Sequence, residues 1–295
     1  MKKIKFSGSC LLFIIIVSLF SIDLKSQNSE IENSILWEIS GNGLETPSYL
    51  FGTIHLIPEK EYVFSETAQK CIESCKTLVL ETDINLSLKK QLEIAKQLIL
   101  PEGKKVKDYL NEEQYQHFTS YFLDSVKISK STFKKMQKIK PIFASALVLN
   151  EFIQKPVAYE QKLSKEAEKI GMKAEFLESI DFQLSVINKI SIEKQIDMMY
   201  VKGLEGNPMT EYNQLLEAYK EQNLEKLGEL FEQEEDIENF EQDFLISRNT
   251  NWIPLIVDFS KNGSCFFAVG AGHLVGDKGV IQLLRNQGFI VSPLK

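Results

Sequence analysis

The sequence predicts a mixed α/β domain: a central mixed β-sheet built from the N- and C-terminal parts of the chain, with a large helical insertion in the middle. Three observations carry this expectation. Short apolar runs bounded by turn residues occur near both ends, at 35–39, 48–51 and 77–80 and again at 265–269 and 289–292. Over most of 88–245 the apolar residues recur instead at three and four, the period of a helix face. Two of the three histidines, His55 and His273, sit in the same Gly-x-x-His setting at the ends of strand-like runs, more than two hundred residues apart. With only 15 glycines in 295 residues, that pairing points to one shared site.

The chain opens on Met1-Lys2-Lys3-Ile4-Lys5, followed by an apolar run at 11–20 and polar residues from Asp23. A basic start and a run of this length read as a signal peptide over residues 1–26, too short to span a bilayer comfortably. The expected location is therefore exported, periplasmic or secreted, with no stable membrane partner after cleavage; an uncleaved anchor is the alternative. Cys10 precedes the apolar run rather than following it, which argues against lipidation. Residues 1–26 hold four lysines and one aspartate, so the remaining chain carries −10 where the whole carries −7. An acidic chain repels polyanions, and nucleic acid is excluded as a partner on that ground. Residues 27–295 are long enough for a single domain, with the helical insertion at about 88–245. Cys71, Cys75 and Cys265 are an odd set without CxxC spacing and read as small buried apolar residues.

In chain order, 35–39 alternates apolar and polar, Gly41-Asn42-Gly43 turns, and 48–51 returns, a hairpin whose second strand delivers Gly52 and His55. A helix at 65–75 with Ser65 as N-cap leads to a strand at 77–80, which ends in Glu81. That carboxylate shares a sheet rim with His55 if the two strands are neighbours. Helices follow at 88–100, broken by Pro101-Glu102-Gly103, and at 112–123, 142–153, 159–170, 180–190, 192–204 and 209–221. Between them, 173–177 reads as a strand delivering Glu178. The acidic run 232–241 lacks EF-hand spacing and reads as a solvated helix face. A helix at 249–259 with Arg248 at its start, the strand 265–269, the Gly270-Ala271-Gly272-His273 turn, a helix at 279–285 and a last strand at 289–292 complete the chain.

Two imidazoles and a carboxylate at strand ends are the ligand types of a divalent transition metal such as Mn, Co or Zn. With an open coordination position, such a centre activates water toward a carbonyl carbon. Gly52, Gly270 and Gly272 would let backbone N–H groups approach a ligand or an oxyanion. The same residues also suit a metal-free scheme, in which a histidine oriented by Glu81 is the general base and Arg248 or a backbone turn stabilises the oxyanion. Spacing does not choose between the two. The bland alternatives are a histidine that caps a strand end and an acid exposed on a loop. His117 reads as a surface residue, and Glu160, Glu178 and Arg248, near helix starts, as structural or solvated. No HExxH occurs, and too little chain follows Gly270-Ala271-Gly272 for a dinucleotide fold.

The stretches Tyr49-Leu50-Phe51-Gly52-Thr53-Ile54-His55, Leu80-Glu81-Thr82-Asp83, Leu177-Glu178-Ser179 with Gln183, Arg248-Asn249-x-x-Trp252 and Phe266-Phe267-Ala268-Val269-Gly270-Ala271-Gly272-His273-Leu274 resemble the motifs of the TraB/PrgY/GumN family. That family includes the Tiki proteins and is distantly related to the erythromycin-esterase-like fold. The resemblance implies a mixed α/β core with both Gly-x-x-His motifs facing one cleft. It also implies a metal-dependent, peptidase-like hydrolase acting on a peptide or a small carbonyl-containing substrate. A metal-free esterase-like hydrolase and a non-catalytic protein that sequesters a peptide are the alternatives it leaves. Position by position, it makes His55, Glu81 and His273 the site, with Arg248, Glu160 and Glu178 in support. The chain departs from the family pattern at Lys140-Pro141-Ile142, where the family often has a tryptophan third, and at Ala158-Tyr159-Glu160, where it has Gly-x-Asp.

Overall fold

The computed structural model describes residues 33–204, 206–232 and 245–295. The segment read as a signal peptide and nearly all of the acidic run lie outside the described residues. The strands in chain order are β1 (Leu36–Ser40), β2 (Ser48–Thr53), β3 (Ile57–Pro58), β4 (Thr77–Leu80), β5 (Pro156–Val157), β6 (Lys173–Phe176), β7 (Cys265–Gly270) and β8 (Ile290–Leu294). Six of them form one mixed sheet in the order β6-β4-β7-β2-β1-β8, and β3 pairs with β5 in a small separate ladder. The sheet joins both ends of the chain, as the sequence predicts.

The strands form for identifiable reasons. β1 and β2 pair antiparallel through a turn in which Gly41, Asn42 and Gly43 all adopt positive φ, a conformation that glycine and asparagine tolerate best. β7 lies between β4 and β2 and is parallel to both. All six of its residues are buried, which explains its unbroken apolar run, since a strand covered on both faces has no polar side to show. The helix Glu66–Glu73 begins where Ser65 accepts the Ala68 N–H at 3.1 Å, an N-cap legible in the sequence.

By internal contacts the chain divides into two units. The sheet unit comprises the described parts of 17–84, 156–183 and 215–295, and the helical unit is built from 85–155 and 184–214. The insertion is thus not continuous: 156–183 returns to the sheet unit and supplies the edge strand β6. In the helical unit Phe118 gathers Phe122, Phe133 and Tyr200, with ring centroids 5.1, 5.4 and 4.7 Å away. Ile142, at the position of the family's frequent tryptophan, is fully buried in this unit. Two helices expected to run on instead pass into π-helical turns, Glu112–Ser120 into Tyr121–Ser125 and Ile192–Ile196 into Asp197–Lys202. The helices Lys130–Met136 and Leu224–Glu232 had no separate sequence expectation. Cys71, Cys75 and Cys265 are free and buried. Burial pushes Cys75 up to about 12 and Cys265 to about 11, so both remain thiols at neutral pH. No helix among the described residues is long and apolar enough to cross a membrane.

Candidate functional site at the sheet rim

Because β2, β7 and β4 run parallel, their C-terminal ends share one rim of the sheet. β2 leads to His55, β4 to Glu81, and β7 to the turn Ala271–Leu274 that carries His273. β2 and β4 are not neighbours; β7 lies between them and its turn closes the gap. Gly52 permits the close approach of the two motifs. A Cβ there would lie 2.8 Å from Leu274 Cδ1 and 3.1 Å from Ala271 Cα, so a side chain would push the second motif away.

Glu81 is the hub of a buried network. Its Oε1 accepts the Gly270 N–H at 2.7 Å, and its Oε2 accepts from Arg248 Nη2 at 2.6 Å and Gln183 Nε2 at 3.1 Å. Arg248 also donates to Glu178 Oε1 from Nη2 at 2.6 Å and from Nε at 2.9 Å. Trp252 Nε1 donates to Glu178 Oε2 at 3.0 Å. The backbone brings the two carboxylates together, since the Glu178 N–H donates to the Glu81 carbonyl one step beyond the β4–β6 ladder. On the helix Ser247–Asn262 the buried residues Arg248, Trp252, Ile256 and Ser260 recur every four positions, one stripe facing inward.

Burial alone would raise the Glu81 carboxyl, but Arg248, the two histidines and the Gly270 N–H hold it at about 2. Arg248 is itself raised, because Glu81 and Glu178 outweigh the cost of burial. Glu178 is raised, since burial outweighs its bond with Arg248. Arg248 is thus a buried bridge between two carboxylates, with only 3 % of its side chain exposed. The Gly270 N–H is likewise committed to Glu81, and the Gly52 N–H to the Ile35 carbonyl at 2.7 Å. Neither motif-leading glycine offers its N–H to a ligand. Gly272 is buried in the turn that positions His273.

The two histidines differ. His273 is fully buried; its Nδ1 lies 2.5 Å from Asn249 Oδ1, and the Trp252 ring packs against it at 4.3 Å between centroids. Among the described residues its Nε2 has no hydrogen-bond partner, and it lies 3.8 Å from Glu81 Oε1. Burial, Arg248 and His55 depress this imidazole well below its usual value, against an opposing effect of Glu81. His55 keeps 38 % side-chain exposure, and its Nδ1 lies 3.0 Å from Glu160 Oε1, which also accepts from Thr53 Oγ1 at 2.9 Å. Burial alone would lower His55, but the charge and hydrogen bond of Glu160, with help from Glu81, raise it to about 9.

The structure therefore brings His55, Glu81, His273, Arg248, Glu160 and Glu178 to one rim. His117 is exposed on its helix in the helical unit. Asn249, Trp252, Gln183 and Thr53 carry contacts that the sequence reading assigned to none of them. The four-residue spacing of Arg248 and Trp252 was a legible signal; the contacts of Asn249, Gln183 and Thr53 depend on tertiary placement. As a setting for a metal the residues are mixed. Among the described residues no three His, Cys, Asp or Glu side chains are grouped to hold an ion. The donor pair that does converge is His273 Nε2 with Glu81 Oε1, and the unpartnered buried Nε2 fits a cation.

The sequence model of the TraB/PrgY/gumN family matches residues 35–293, from β1 to the last strand. The chain belongs to this family. Among relatives, a protein named metalloprotease TIKI homolog from Amphimedon queenslandica is 24 % identical over 97 % of this chain and 68 % of its own length. Proteins named metalloprotease TIKI2 from Danio rerio and Xenopus tropicalis are 22 % and 20 % identical, each over 88 % of this chain and over 61 % and 60 % of their own length. The chain thus spans about three fifths of the two TIKI2 relatives. No solved structure matches it.

Proposed function

We propose that this family member is a hydrolase of the peptidase type, exported from the cell, with His55, Glu81 and His273 at its reacting centre. The observation that carries the reading is the buried, unpartnered Nε2 of His273, 3.8 Å from a carboxylate oxygen held at about 2. Two electron-rich atoms facing each other across a gap favour a cation or a proton donor between them. The residues that would hold a divalent transition metal (Mn, Co or Zn) are His273 through Nε2, Glu81 through Oε1 and His55 as third donor. When bound, such an ion supplies Lewis-acid polarisation of the scissile carbonyl and a charge that activates water. Within the chain, Arg248 keeps Glu81 ionised, Gln183 helps to aim it, and Glu160 holds the His55 ring through Nδ1. An ion held by His55 would take Nε2, whose proton it would displace, while the Nδ1 proton would stay with Glu160. The relatives named metalloproteases support a peptide substrate, and the basic start followed by the apolar run at 11–20 supports export.

One observation favours a metal-free reading. Both Glu81 oxygens already accept N–H donors, and three donors are not grouped among the described residues. In that scheme the His273 lone pair is the general base, and His55, cationic below about 9, polarises the carbonyl. Elemental analysis of the purified chain beside a His55→Ala/His273→Ala variant, followed by peptide turnover with and without chelation, separates the two. Near-stoichiometric Mn, Co or Zn lost in the folded variant, with turnover abolished by chelation, is expected. Full turnover after exhaustive chelation would replace the metal reading by the metal-free one, and saturable peptide binding without turnover would make the protein a sequestering one.

A further inference from the structure

We propose that Asn249 is a positioning residue that fixes the proton of His273 on Nδ1, so that Nε2 faces Glu81 as a bare lone pair. The functional weight of this rests on the reading that His273 serves the reacting centre; the proton's location rests on geometry alone.

The Asn249 amide has one orientation that satisfies its surroundings. One end lies 2.9 Å from the Lys278 carbonyl oxygen and 3.5 Å from that of His273. Carbonyl oxygens only accept, so this end is the NH₂ group; the flipped amide would set oxygen against oxygen. The other end, Oδ1, lies 2.5 Å from His273 Nδ1. An amide oxygen cannot donate, so the proton of that short bond belongs to Nδ1. Both residues are buried, with relative exposures of 2 % and 0 %. In the neutral ring the second nitrogen is then unprotonated, and which nitrogen carries the proton is set by the bond the other makes. Trp252, packed on the ring at 4.3 Å, holds its plane.

The consequence lies at the other end of the ring. If Nδ1 had no acceptor, the proton would move to Nε2 and be donated to Glu81 Oε1. The histidine and the carboxylate would satisfy each other, and the lone pair needed by a metal or by general-base catalysis would be gone. The Asn249 amide thus holds the pair apart in a reactive state. Asn249 follows Arg248 directly, so the first turn of one helix positions both Glu81 and His273.

Long-range proton–nitrogen NMR correlation of the imidazoles tests this in the ¹⁵N-labelled, metal-stripped full chain. Only three histidines contribute, and His55→Gln and His117→Gln variants assign the third. At neutral pH the wild-type His273 is expected to show protonated Nδ1 and unprotonated Nε2. Asn249→Leu should move the proton to Nε2, whereas Asn249→Asp, which gives up the donor to the Lys278 carbonyl but keeps an acceptor at Nδ1, should leave Nδ1 protonated. Binding of Mn²⁺, Co²⁺ or Zn²⁺ alone, by calorimetry, should weaken about 10–100-fold in Asn249→Leu and recover in Asn249→Asp, the range for residues that orient a ligating histidine. A wild-type His273 protonated on Nε2, or a tautomer that Asn249→Leu leaves unchanged, overturns the proposal. If Asn249→Leu does not fold, the wild-type spectrum with Asn249→Asp decides it. The expected tautomer in a chain that binds none of these ions upholds the proposal and removes the metal reading.

Discussion

The two Gly-x-x-His motifs share a signature and a sheet rim, yet they put their histidines into opposite states. His55 leaves a strand end for a loop, retains partial exposure and meets a carboxylate, which raises it to about 9. His273 leaves the buried strand of the sheet for a tight turn, loses all exposure and meets a neutral amide, and it is depressed well below its usual value. The motif supplies a position, and the partners, Glu160 in one case and Asn249 in the other, set the proton. Pairs of titratable groups pushed apart in this way mark acid and base roles. A proposed site with one histidine inclined to be cationic and one held neutral has both roles at hand.

The contrast is breakable, most severely on the buried side. Arg248→Met leaves Glu81 and Glu178 buried with no cation, and loss of one member of such a network costs about 3–5 kcal/mol. Chemical denaturation near neutral pH should show that loss. Because the orphaned carboxyls then have folded-state values above their unfolded ones, the variant should recover stability as the pH falls and they take up protons. A loss below about 1 kcal/mol would mean that Arg248 does not organise the rim, since that is the range of exposed pairs.

How far the sequence disclosed this site depends on the scale of each feature. The strands β1, β2, β4, β6, β7 and β8 each leave a period or an apolar run in the chain, and Glu81 follows β4 directly and Glu178 follows β6 after one residue, so sheet and acids are legible together. The position of β7 between β2 and β4 is not legible, because strand order is decided by crossovers and not by local pattern. The same holds for Glu160, which reaches His55 from the first turn of the helix Tyr159–Lys169, more than a hundred residues away in sequence. Arg248 reads as a charged residue at a helix start, a common solvated feature. That it is buried follows only from two acids arriving from other strands.

Gly52 sharpens the comparison at intermediate cost. Its missing side chain is where the first motif touches the second, against Ala271 and Leu274. The Leu274 methyl can rotate away, but the Ala271 backbone cannot yield without moving the His273 turn. Gly52→Ala is expected to lose about 1–3 kcal/mol, with His273 showing larger chemical-shift changes than His55. If stability is unchanged, the two motifs are not in the tight contact described.

The smallest effect tests the exposed side. Replacing Glu160 with glutamine removes the carboxylate that holds the proton on His55, and the His55 midpoint should fall from about 9 toward about 6.5, the ordinary value for histidine. His273, which faces neither Glu160 nor solvent, should not follow. The sign of the stability change comes from linkage. A histidine raised in the folded state contributes stability that is fully present below about 6.5 and is lost as the pH rises through about 9. The wild type should therefore exceed Glu160→Gln near pH 6, and the two should converge above about 9. Because His55 is partly exposed, the difference should be about 0.5 kcal/mol, as for other solvent-screened pairs. An NMR titration of the two site histidines in both proteins is the direct measurement. A wild-type His55 that titrates near 6.5 would erase the contrast between the motifs, leaving His273 the only histidine of the site whose proton state is set by the fold.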